Sequence, residues 1–98
     1  MIVSEITVKN LADYLKLDFE SLTEEEKAEL STFLSSAQAF ISEYTGLNSE
    51  EIDGHETFAI AVYVLVQDMY DNRSYYVDKS NLNQVVEHIL NMNSVNLL

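Results

Sequence analysis

The chain has 98 residues, with 17 acids against five bases for a formal charge of −12, 47% apolar residues and no cysteine. This composition supplies enough apolar side chains for one small core, excludes a disulfide framework and a thiol nucleophile, and makes tight binding to a phosphate backbone untenable. Proline is absent and glycine occurs only at Gly46 and Gly54, so the punctuation of a β-rich fold is missing and helices are expected.

In chain order, residues 1–6 read as a short lead-in with some β character. Thr7 caps a first helix through about Leu17, with Val8, Leu11, Ala12 and Leu15 on one side and Lys9, Asp13 and Lys16 on the other. A helix of this length is marginal unless docked. Residues 18–22 connect to Thr23-Glu-Glu-Glu26, a capping box in which the Thr23 hydroxyl accepts the Glu26 amide while Glu26 reaches back. The three glutamates also sit at the positive end of the helix dipole. Leu30, Phe33, Leu34, Ala37, Phe40, Ile41 and Tyr44 then recur at three- and four-residue steps, and Gly46 supplies a glycine just past the end of this second helix.

Residues 48–54 (Asn-Ser-Glu-Glu-Ile-Asp-Gly) read as an acidic loop. A third helix is expected from about His55 to Asn72. Phe58, Val62, Leu65 and Met69 form one apolar stripe on it, Ala59, Tyr63, Val66 and Tyr70 a second, and Ile60 and Val64 begin a third. A helix apolar nearly all round is buried, in a core or against a neighbouring subunit. In so small a chain, a core has difficulty enclosing it, which points toward assembly. Its apolar run falls far short of the roughly 18–20 residues that cross a bilayer, and no basic, then apolar, leader opens the chain, so a soluble protein is expected. Residues 74–80 read as a polar loop with Tyr75 and Tyr76 exposed. A short fourth helix over about 82–92 is expected to turn Val85, Val86, Ile89 and Leu90 inward, and residues 93–98 form an apolar but aperiodic tail.

Reactive constellations are lacking. There is no Gly-rich phosphate loop, nucleophile elbow or helical His-Glu-x-x-His. His55 and His88 are far apart in sequence, and a zinc site needs three or four convergent ligands, so no metal and no cofactor are expected. Glu24, Glu25, Glu26 and Glu29 share one wet environment at a helix start, where capping explains them better than acid–base work. No catalytic residue is assigned. Arg73, just past the apolar helix, suits the negative end of its dipole or a pairing with a carboxylate on another element or subunit. Tyrosine and arginine are enriched in protein contacts, which singles out Tyr63, Tyr70, Arg73, Tyr75 and Tyr76 as candidate interface residues. Val95, Leu97 and Leu98 join them, because terminal apolar residues must fold back or reach a neighbour.

The order of elements resembles the head–tail connector (adaptor) proteins of tailed phages, which dock on the portal. The resemblance rests on the capped Thr23-Glu-Glu-Glu26 helix carrying Ala37-Gln-Ala-Phe-Ile-Ser-Glu-Tyr-Thr-Gly46, the apolar helix ending Val66-Gln-Asp-Met-Tyr-Asp-Asn-Arg73, and Val86-Glu-His-Ile-Leu-Asn-Met92 in the last helix. It implies an all-α bundle of about four helices in one domain, acting without catalysis at the head–tail junction of the virion and found in the host cytoplasm during assembly. It further implies a homo-oligomeric ring of about 12–13 copies below the portal, closed by heterologous contacts. Such a ring would extend the DNA channel without specific DNA binding and dock a tail-completion protein. An expectation of a different class is a small acidic regulatory module, a decoy that binds a basic partner through residues 18–56, where eleven acids accompany one base, Lys27.

Overall fold

A single long helix organises the molecule. In the computed structural model, which describes residues 1–94, Thr23 is extended and its hydroxyl accepts the Glu26 amide at 3.1 Å, while the Glu26 carboxylate accepts the Thr23 amide at 2.9 Å. With both orphan donors satisfied, α2 (Glu24–Thr45) runs 22 residues and stops where Gly46 turns left-handed at φ 76°. There the Gly46 amide donates to the Ser42 carbonyl at 2.9 Å, and glycine takes this conformation without steric cost.

The other α-helices are α1 (Val8–Tyr14), α3 (Ser49–Asp53), α4 (Thr57–Asn72) and α5 (Gln84–Asn93). No strand occurs among the described residues. Packing brings α2 against α4, α5 against both, and α1 across α2 and α4. Side-chain bonds fix the directions: Arg73, just past α4, reaches Glu29 near the start of α2, and Tyr44 near the end of α2 reaches Asn91 near the end of α5. Helix α4 therefore runs antiparallel to α2, and α5 parallel to it.

One core fills the space between them. Leu11 and Ala12 of α1, Phe33, Ala37 and Ile41 of α2, Phe58, Ala61 and Val62 of α4, and Val86 and Leu90 of α5 are all fully buried. Each large member of that set contributes roughly 1.5–3 kcal/mol through removal from water. The stripe Phe58, Val62, Leu65, Met69 is buried as expected, together with Ala59, Ala61 and Val66. The expected difficulty of enclosing this helix in so small a chain is not met. Helices α1, α2 and α5 cover most of it and leave Ile60 as its one strongly exposed large apolar side chain, at 52%.

Several local readings also change. The lead-in is not extended: Val3–Glu5 is a 3-10 turn that buries Val3 and Ile6, and the Ser4 amide donates to Asp53 at 3.0 Å. Helix α1 stops a turn early, at Tyr14, because Lys16 adopts a left-handed conformation at φ 62°. Leu17 N–H then reaches the Ala12 carbonyl and Lys16 N–H the Asp13 carbonyl, the paired bonds of a Schellman ending. The acidic loop contains α3, whose Asn48 accepts the Glu51 amide at 2.8 Å while Glu51 accepts the Asn48 amide at 3.0 Å. In α5, Val86, Ile89 and Leu90 face inward, but Val85 is 55% exposed. The helix starts at Gln84, and its buried arc centres on Val86 and Leu90.

Candidate protein-contact site

Three of the candidate contact residues meet at the end of α4. Arg73 is left-handed at φ 50°, and its neighbour closes the helix by donating Ser74 N–H to the Met69 carbonyl at 3.0 Å. That turn aims the Arg73 guanidinium back over the Tyr70 ring, 4.5 Å from its centroid, and onto Glu29 of α2 through a 3.0 Å bond from Nη1. The other Glu29 oxygen accepts the Tyr75 hydroxyl at 2.9 Å. Beneath them lies the fully buried Phe33, stacked on Tyr75 at 5.5 Å and edge-on to Tyr70 at 6.5 Å. The Ser36 hydroxyl completes the anchor by donating to the Tyr75 carbonyl at 2.9 Å.

The hydrogen bond to Glu29 pushes the Tyr75 phenol up from its ordinary value, with the Glu29 charge and desolvation adding and Arg73 opposing. A carboxylate that accepts the phenolic proton stabilises the neutral form. The carboxylate partner of Arg73 thus lies in its own chain, on α2. Glu29, one of four neighbouring glutamates with nothing local to single it out, is the hub of the cluster. Tyr76 stands apart from it and is 82% exposed.

Tyr63 belongs to a different surface. Its ring stacks on Tyr14 of α1 at 4.9 Å, and its hydroxyl donates to Met1 Sδ at 3.4 Å. Burial raises its phenol above the ordinary value, and the Asp13 charge adds to this. Around this half-buried ring, Met1, Tyr14 and Ile60 are exposed, forming an apolar patch across α1 and α4. These three are not among the residues picked out from the sequence as contacts. Ile60 carried a signal, since it begins a third apolar stripe on α4, of which the other helices leave Ile60 itself exposed. A second apolar surface lies on α5, where Val85 and Met92 are seven residues apart and therefore share one edge of the helix. Val95, Leu97 and Leu98 lie outside the described residues.

The two flanks of α4 differ chemically. Asp68 lies five residues after Tyr63, about 140° further round the helix. There it lines a groove of about 580 Å³ between the last turns of α4 and the segment leading to α5. Burial pushes its carboxyl up from the ordinary value, and the neighbouring Asp71 charge adds to the effect.

Many of the acids in residues 18–56 have structural duties. Asp18, Glu26 and Glu51 accept backbone amides at helix or turn starts, and Asp53 holds the N-terminal turn. Glu29 organises the aromatic cluster, and Glu24 lies 3.6 Å from Lys27. Lys27 in turn sits 4.6 Å from the Phe19 ring centroid. His55 packs edge-on against Phe58 at 5.5 Å, and His88 is exposed on α5. Among the described residues, no group of three or more His, Cys, Asp or Glu side chains is arranged to hold a metal, and no helix is long and apolar enough to cross a membrane.

Comparisons with known protein families, curated proteins and solved structures found no match to this chain.

Proposed function

We propose that the chain is a non-catalytic structural subunit that assembles head to tail into a ring, the role of a head–tail connector beneath the portal of a tailed phage or prophage. One observation carries this reading: besides Tyr75 and Tyr76, the large exposed apolar side chains lie on two different helix faces, Met1, Tyr14 and Ile60 over α1 and α4, and Val85 and Met92 on α5. A closed ring needs two different faces, because each subunit offers one face to the neighbour before it and another to the neighbour after it. The Arg73–Glu29–Tyr75 cluster would stiffen one end of the subunit. A charge of −12 would give DNA passing through the ring little to adhere to. Portal and tail-completion proteins are the partners on either side.

The test is native mass across a concentration series, alone and with candidate portal rings. The reading expects a closed oligomer or saturable decoration of the portal, and expects Ile60→Asp and Met92→Asp each to abolish it. An equimolar mixture of those two variants retains one intact contact per pair and should stop at a dimer. A strict monomer that ignores portal rings, with both variants behaving as the parent does, would overturn the proposal.

A further inference from the structure

The groove beside α4 has no place in the ring contact described above, and its chemistry is specific. Leu65 and Met69 back it from the core, and half-buried Val77 and Leu82 supply its accessible apolar surface among a mostly polar lining. Asp68 and Asp78 line it from opposite sides of the chain path, one from α4 and one from the segment leading to α5. Tyr76, the most exposed large aromatic of the described residues, also borders it.

None of the residues lining the groove is Lys, Arg or His. Neither carboxylate oxygen of Asp68 accepts a hydrogen bond from any described residue, although burial disfavours its charge. Asp78 uses only Oδ1, which accepts the Ser80 amide at 3.2 Å and the Ser80 hydroxyl at 2.7 Å, so Oδ2 is free of described donors. The nearby Lys79 is exposed and forms no ion pair with a described acid. The carbonyl end of α4 adds partial negative charge at the same place.

From this we infer that the groove is a docking site for a basic segment of a partner protein, one carrying arginine or lysine beside apolar residues. The aliphatic stem of such a residue would lie on Val77 and Leu82 while its head meets the carboxylates, and the exposed Tyr76 ring is near enough to face the cation. Charge complementarity selects this occupant. A second copy would bring −12 of its own, and three of its five bases, Lys9, Lys27 and Arg73, are already paired.

The experiment uses the full chain and a fluorescent peptide of alternating arginine and leucine, with a glutamate–leucine peptide as control, read by anisotropy at low and at physiological salt. Saturable one-to-one binding of the basic peptide alone is expected, weaker at higher salt. Backbone amide shifts on titration should concentrate between residues 68 and 84. The double substitution Asp68→Asn, Asp78→Asn should weaken binding at least about tenfold, because charge-assisted bonds are lost while side-chain shape and the Asp78 turn acceptor are kept. The control pair Glu43→Gln, Glu50→Gln removes two exposed acids elsewhere and should leave binding within about twofold. Absence of binding, shifts centred elsewhere, or equal losses from both pairs would overturn the inference. So would a change in native mass on Asp68→Asn, Asp78→Asn without peptide, which would make the groove a contact between copies. The inference does not rest on ring assembly, and failure of the peptide leaves the native-mass test intact.

Discussion

Phe33→Ala is the sharpest test of how the bundle is held together. Phe33 has no exposed surface, and its ring is the common support for Tyr70 from α4 and Tyr75 from the following segment. Truncating a buried phenylalanine costs about 3–5 kcal/mol, and each aromatic pair it forms adds about 0.5–1.5 kcal/mol beyond simple burial. Tyr75 lies near the surface and can settle partly into the vacated space, which holds the expected loss to about 4 kcal/mol. A domain of this size has only about 5–10 kcal/mol to lose, and each kcal/mol shifts its midpoint by about 4–8 °C, so the thermal transition should fall by about 15–30 °C. Urea unfolding followed by far-ultraviolet circular dichroism gives the free energy directly. Phe33→Leu, which keeps most of the volume and loses the aromatic contacts, should recover more than half of it. A loss below about 1 kcal/mol for Phe33→Ala would refute the view that this ring joins α2 to the end of α4.

Leu65→Ala, at a residue 1% exposed in the centre of α4, should cost about 2–5 kcal/mol by the same urea assay, and an unchanged transition would contradict its burial. Thr23→Ala removes the acceptor of the Glu26 amide and should cost about 1 kcal/mol, with the helical signal otherwise preserved. The backbone and side-chain bonds with Thr23 hold the Glu26 carboxyl below its ordinary value. A depressed folded-state value means stability that is present above the unfolded value and lost as pH falls through the folded one. Melting temperatures of the parent and of Glu26→Gln should therefore differ at neutral pH and converge in acid. Asp68 has the opposite sign: its raised folded value favours the protonated form, so its ionisation opposes folding as pH rises through that value. Asp68→Asn should melt slightly above the parent at neutral pH, by a small margin because solvent screens this partly exposed carboxyl, and the gain should vanish in acid. A destabilised Asp68→Asn protein at neutral pH would show that the carboxylate has a partner after all.

The helices whose signals are local are legible in neighbouring residues alone. Thr23 and Glu26 cap α2 and Gly46 ends it because each bond spans three or four residues, and the stripe Phe58, Val62, Leu65, Met69 is buried because it recurs at the helical period. Asn48-Ser-Glu-Glu51 carries the same capping signature, yet a helix of five residues is too short to show a period. The early stop of α1 had no signal either, since Lys16 takes a conformation usually left to glycine or asparagine.

Which side chains meet across elements depends on how the helices pack. Glu29 is one of four neighbouring glutamates in sequence. It becomes the partner of Arg73 and Tyr75, 44 and 46 residues away, because antiparallel packing sets the end of α4 beside the start of α2. Val85 and Ile60 look like core residues and are exposed because the faces of α5 and α4 that carry them are left uncovered by the other helices. Local bonds are written in neighbouring residues. Contacts between elements depend on how whole helix faces pack, and no single stretch of the chain encodes that.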